Sequence, residues 1–218
     1  MSLANLKIGT RLGLGFGVVL LLLIALTLLG ISRMGIINGY VEQIAQDNMV
    51  KIDQTRELRE AVQGIAIAVR NVVLITDDAG IAEETKRVAK LREDYAENAK
   101  KLTESVKSET GKALLAKVAE ARSVTAPLVD KTLELGKANK NAEATQVLLK
   151  EVRPAQRKWL EALDEMLDFQ VKNTAKDTAA ASEAYTSARI FMFSLAGVDT
   201  DGDADRLVCH AQYHPPNQ

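Results

Sequence analysis

The stretch Leu58-Arg59-Glu60-Ala61-Val62-Gln63-Gly64-Ile65-Ala66-Ile67-Ala68-Val69-Arg70-Asn71-Val72 decides the fold. Its Leu58, Val62, Ile65, Val69 and Val72 are separated by alternating steps of four and three, the spacing of a helix that buries one seam against a partner. The pattern persists to Thr76-Asp77-Asp78-Ala79-Gly80, where Asp, Gly and lost apolar periodicity predict a turn.

Upstream, Leu12 to Ile31 is free of charge, about 20 residues and long enough to cross a hydrocarbon core of roughly 30 Å as a helix. The run is longer than a signal-peptide core and has no small-x-small cleavage site before Arg33, so it reads as an uncleaved anchor. Lys7, Arg11 and the amino terminus lie on one side and only Arg33 close by on the other, which predicts a cytoplasmic N-terminus.

Downstream, Val88, Leu91, Tyr95 and Leu102 form a second seam, ended by Ser108-Glu109-Thr110-Gly111. Leu114, Val118, Ala121, Thr125, Leu128 and Leu135 form a third, ended by Gly136-Lys137-Ala138-Asn139-Lys140-Asn141. A last helix has its late seam at Leu167, Val171, Thr174, Thr178, Ala181, Tyr185, Ala188 and Met192, and Ala188 to Val198 begins a second apolar run. Short turns force an antiparallel up-down-up-down arrangement. The first helix beyond Arg33 would reach roughly 66 Å at 1.5 Å per residue, and the last needs a similar length to return. Pro127 inside the third segment predicts a local bend.

Composition agrees with an all-α chain. Of 218 residues, 47% are hydrophobic but only 4% aromatic, and prolines are confined to 127, 154, 215 and 216. A formal net charge of −1 offers no field to recruit nucleic acid. Cys209, His210 and His214 all lie in the last stretch, so thiol and imidazole chemistry, zinc sites and disulfides are excluded from the body of the chain. No cofactor is expected. Asp199 to Asp205 does not match a helix-loop-helix calcium loop, which wants glycine at its sixth position and Glu at its twelfth.

A basic-flanked anchor, an outside bundle and a returning helix together resemble the N-terminal part of bacterial methyl-accepting chemotaxis proteins. The motifs behind the resemblance are Asn5-Leu6-Lys7-Ile8-Gly9-Thr10-Arg11-Leu12, Val69-Arg70-Asn71-Val72-Val73-Leu74-Ile75-Thr76-Asp77, and Arg153-Pro154-Ala155-Gln156 opening helix four. The resemblance covers residues 1 to about 198. It implies an inner-membrane homodimer with the bundle in the periplasm, binding a small solute between subunits near the membrane-distal end. It also implies transmission by sliding of the final helix, and no enzymatic activity. Kinase and adaptor partners would act only through the HAMP linker and methylated coiled coil, which do not follow here, so this chain is expected not to signal alone. The input domain of a membrane histidine kinase or nucleotide cyclase is the alternative.

The resulting division is a cytoplasmic N-terminus 1–11, a transmembrane helix 12–32, a four-helix ligand-binding bundle 33–188, a truncated second transmembrane helix 189–198, and a tail 199–218. The tail is read as frame-shifted or disordered, since an offset of one nucleotide can yield an apolar helix end and a HAMP-like entry.

A carboxylate ligand needs guanidinium groups, whose planar fork of donors matches two carboxylate oxygens. Arg70 lies where the family places its ligand arginines, with Asn71 beside it, and helix four contributes Arg153, Gln156 and Arg157. Ala155 replaces the hydroxyl residue of the amino-acid receptors between Pro154 and Gln156, which favours an organic acid over an amino acid. Trp159 is expected in the core.

Overall fold

A computed structural model describes residues 7–195 of the chain. The acidic tail from Asp199, the expected frame shift and residues 196–198 of the second apolar run lie outside the described residues.

The described chain is a succession of four long helices. The first, α1, is continuous over Ile8–Leu74. It consists of α-helix Ile8–Glu42, a π-helical turn Gln43–Asn48 and α-helix Met49–Leu74. The second, α2, is Asp78–Ser105, and α3 is Glu109–Lys137. The fourth, α4, covers residues 141–195 as Asn141–Val147, a π-helical turn Leu148–Val152 and Arg153–Leu195.

Each turn has a chemical stop. Asp77 accepts the Gly80 N–H at 2.8 Å and Ser108 accepts the Gly111 N–H at 3.2 Å, capping α2 and α3. A cap of this kind contributes about 1 kcal/mol. At the end of α3, Asn139 takes a φ of 53°, while its N–H bonds to the Gly136 carbonyl and the Lys140 N–H to the Leu135 carbonyl. This is the 6→1 and 5→2 pairing of a helix end closed by a left-handed residue, a conformation Asn tolerates better than most.

The fourth helix departs from the sequence expectation. It begins at Asn141, so Arg153-Pro154-Ala155-Gln156 lies more than three turns inside it. A proline there has no N–H and crowds the carbonyl four residues back. The preceding π-helical turn, in which the Arg153 N–H bonds to the Leu148 carbonyl five residues back, widens the helix and lets it pass through Pro154. Pro127 likewise sits within the continuous helix α3.

Residues 43–176 form one compact unit. The α1 seam is buried as its spacing predicts, with Leu58, Val62, Ile65, Val69 and Val72 all inside. Leu58, Val62, Tyr95, Leu102, Val118, Trp159, Leu163 and Met166 share one cluster. Val69, Val72, Val88, Val129, Leu133 and Val152 share another, nearer the α1–α2 turn. Buried Thr55, Thr125 and Thr132 donate their hydroxyls to carbonyls four residues back, so none of these three hydroxyl donors is left unpaired. On α4 the seam runs through Trp159, Leu163, Met166 and Gln170, one position before the expected Leu167 and Val171; Val171 is exposed. Polar Gln170 is buried there, and a reading that follows aliphatic residues slips past it.

Polar bonds link the helices in chain order around the unit. Asn71 of α1 donates to Glu84 of α2 at 2.7 Å, and Arg92 of α2 pairs with Asp130 of α3 at 2.7 Å. Lys117 of α3 meets Glu165 of α4 at 2.9 Å, and Arg59 of α1 meets Asp164 of α4 at 2.7 Å. Trp159 and Tyr95 join α4 to α2 across the diagonal.

The second unit combines, among the described residues, 7–42 with 177–195. Its α1 portion has no buried residue between Ile8 and Glu42, and Leu12, Phe16, Leu21 and Leu28 are all exposed. A helix apolar on every side fits a lipid surrounding. In the α4 portion Ala188 is buried, while Ile190, Phe191, Met192 and Phe193 are exposed. A side chain built at Gly30 would lie 4.0 Å from the Met192 sulfur.

Candidate functional site

Arg70 is exposed on the flank of α1, and Arg153 and Arg157 are exposed on α4. Arg70 follows Arg59 by eleven residues, and Arg153 precedes Asp164 by eleven. Eleven residues are about three helical turns, roughly 16 Å, and return a side chain to nearly the same face. Because α1 and α4 run antiparallel and Arg59 and Asp164 are in contact, Arg70 and Arg153 hold equivalent places on the same seam, toward the α1–α2 turn. Arg157 follows Arg153 by one turn. None of the three has a carboxylate partner among the described residues.

The two predicted amides are engaged within the bundle. Asn71 turns toward α2, where its Nδ2 donates to Glu84 Oε1 at 2.7 Å. Gln156 Nε2 donates to the backbone carbonyl of Val62 at 2.9 Å, fastening α4 to α1. The arginines therefore lie on the surface of the α1–α4 seam that Gln156 helps to hold together, while Asn71 ties α1 to α2.

A second constellation lies between α2 and α3, where sequence periodicity read only core. A recess of about 120 Å³ is lined by Ile65, Arg92, Tyr95, Arg122, Val129 and Trp159. It adjoins a cleft of about 630 Å³ bordered by Ala99, Lys100, Leu115 and Arg122. The Arg122 guanidinium stands 5.0 Å over the Tyr95 ring, in cation–π range. Arg92 gives Nη1 to Asp130, while its Nη2 is buried without a hydrogen-bond partner. The Tyr95 hydroxyl accepts from Trp159 Nε1 at 3.1 Å, and its own proton has no acceptor among the described residues. Burial holds the Tyr95 phenol above its ordinary pKa, against the opposing pull of the Trp159 hydrogen bond and the Arg122 charge. The sequence signal was two arginines on neighbouring helices flanking a tyrosine and the chain's single tryptophan. The tyrosine's seam position hid it.

Among the described residues no cluster of His, Cys, Asp and Glu could hold a metal ion. Among the described residues one helix, Ile8–Leu74, is long and apolar enough to cross a membrane. A family model described as a four helix bundle sensory module for signal transduction matches residues 5–185. That family is sensory and not catalytic. Together with the apolar helix, the match points to a membrane-anchored protein. No curated protein matches the chain significantly.

Proposed function

This chain belongs to the four-helix-bundle sensory modules for signal transduction, and we propose that it is the sensor portion of a chemotaxis transducer. In this reading residues 12–32 anchor it in the cell inner membrane with the N-terminus cytoplasmic, and the bundle of residues 33–188 senses in the periplasm as a homodimer. It acts by binding a small carboxylate, an organic acid in preference to an amino acid, and by displacing α4.

The observation that supports this reading is the equivalent placement of Arg70 and Arg153 across the α1–α4 seam, with Arg157 one turn away and no acid among the described residues paired to any of them. Like charges on one face repel, and a bridging carboxylate relieves that repulsion with charge-assisted hydrogen bonds to the guanidinium forks. Because the bridge would span α1 and α4, it would bear directly on the position of α4. Asn71 and Gln156 frame the site by holding its helices.

Thermal melting of the full chain in detergent, against a panel of dicarboxylates and amino acids, tests the proposal, since a ligand that binds only the folded state raises its stability by mass action. A dicarboxylate is expected to raise the midpoint, and Arg70→Ala to abolish the rise while leaving the ligand-free midpoint in place. A panel with no active compound, or a rise unchanged in Arg70→Ala, rejects the reading.

A further inference from the structure

We infer that the recess between α2 and α3 is a second binding site, within a single protomer, for a small organic monocarboxylate with an apolar body. This inference does not depend on the Arg70–Arg153 site or on the chain's signalling role.

The recess presents donors and no acceptor in need of one. Arg92 Nη2 is buried and unpaired, the Tyr95 O–H has nothing to donate to among the described residues, and Arg122 stands over the Tyr95 ring with no ion pair among them. A buried guanidinium N–H without a partner costs stability, and an anion that accepts from it removes the cost. Asp130 takes only Nη1 of Arg92, so the two arginines keep a net positive charge at this point. That selects an anion.

The walls select the rest of the molecule. Ile65, Val129 and the faces of Tyr95 and Trp159 are apolar and buried, so a fully hydrated ion such as free phosphate would lose water without return on those sides. A volume of about 120 Å³ corresponds to roughly four water molecules at about 30 Å³ each. That admits a carboxylate and a few carbons, and the adjoining cleft of about 630 Å³ falls within the ordinary range for small-molecule sites. Lys100 and Glu104 both line the cleft and offset each other, so the net positive charge is confined to Arg92 and Arg122, which favours a single carboxylate. The fit is to benzoate or a short branched-chain monocarboxylate.

Trp159 is the chain's only tryptophan and lines the recess, so its fluorescence reports occupancy directly. The experiment is a titration of the full chain in detergent micelles with benzoate, 3-methylbutanoate and uncharged benzamide. Saturable change is expected with the two carboxylates and none with benzamide. Arg122→Gln, an exposed substitution, is expected to weaken binding about tenfold, the scale of one charge-assisted hydrogen bond. Tyr95→Phe, which keeps the ring and removes the donor, should weaken it severalfold. Arg70→Ala should leave the titration unchanged, which separates this site from the α1–α4 seam. Absence of a saturable response, an equal response to benzamide, or unaltered affinity in both Arg122→Gln and Tyr95→Phe overturns the inference.

Discussion

Trp159 Nε1 donates to Tyr95 Oη at 3.1 Å across the diagonal of the bundle, and the two rings meet edge-on with centroids 5.1 Å apart and planes at 66°. This arrangement satisfies the one indole donor in the core and locks α4 against α2 at a single level. It also fixes which side of the phenol oxygen stays open to the recess.

Replacing Trp159 by Phe removes the donor and part of the ring while keeping an aromatic face. The loss combines a buried hydrogen bond, about 1 kcal/mol, with a cavity contribution of similar size. At about 2–4 °C per kcal/mol for a chain of this size, the midpoint should fall by roughly 4–8 °C in a melt followed by far-ultraviolet circular dichroism. An unchanged midpoint would mean that the diagonal contact adds nothing to stability.

Alkaline pH should unfold the bundle partly through Tyr95. Its phenol holds its proton more tightly when folded than the ordinary value near 10, chiefly because burial disfavours the anion. The folded state therefore binds more protons than the unfolded state in that range. Stability is intact below about pH 10 and declines as pH rises toward the folded pKa. Lys90, raised by Asp94 and Glu93, and Lys101, raised by Glu97, act in the same direction, but both are exposed and screened. Tyr95→Phe should flatten most of the decline above pH 10 in a series of melts, and an undiminished slope would assign it to other groups.

Gly136 lies against Val72 where the end of α3 approaches α1. A Cβ at position 136 would stand 2.6 Å from Val72 Cγ1 and 3.1 Å from the Val72 carbonyl oxygen. Alanine is the better helix former by about 1 kcal/mol, yet overpacking of this kind costs about 1–3 kcal/mol, so Gly136→Ala should destabilise. Val72→Ala in the same chain removes the methyl contact and leaves the backbone one. The double variant should recover part of the loss as a favourable coupling. Simple additivity of the two single effects would argue against the clash.

These residues mark where sequence was sufficient and where it was not. Strict spacing identified the buried α1 seam, and local chemistry identified the turns, because Asp77 and Ser108 cap through their own side chains. The role of Gly136 was obscure, since it is set by the approach of another helix, while the left-handed position of that turn falls to Asn139. Pro154 suggested a helix start because a proline at the first turn is the common case, whereas a π-helical turn here carries the helix past it. Of the expected ligand residues, the arginines have no carboxylate partner among the described residues, whereas the amides are engaged within the bundle. Amide partners depend on which helix lies alongside, which a single sequence does not encode locally.

Gln156 distinguishes the structural role of these amides from a ligand-binding one. Its Nε2 reaches the Val62 carbonyl at 2.9 Å, and a partly buried bond of this kind is worth about 1 kcal/mol net. Gln156→Ala should therefore lower the midpoint of the ligand-free chain by about 2–4 °C. Arg153→Ala, three residues earlier and exposed, should change it by less than about 0.5 kcal/mol equivalent. A ligand-free melt compares the two directly. If Gln156→Ala melts with the parent chain, the amide is not holding α4 to α1 and is available to a bound solute; a selective loss in Gln156→Ala makes it a fastening beneath the arginines, and any effect of that variant on ligand affinity then acts through the spacing of α1 and α4.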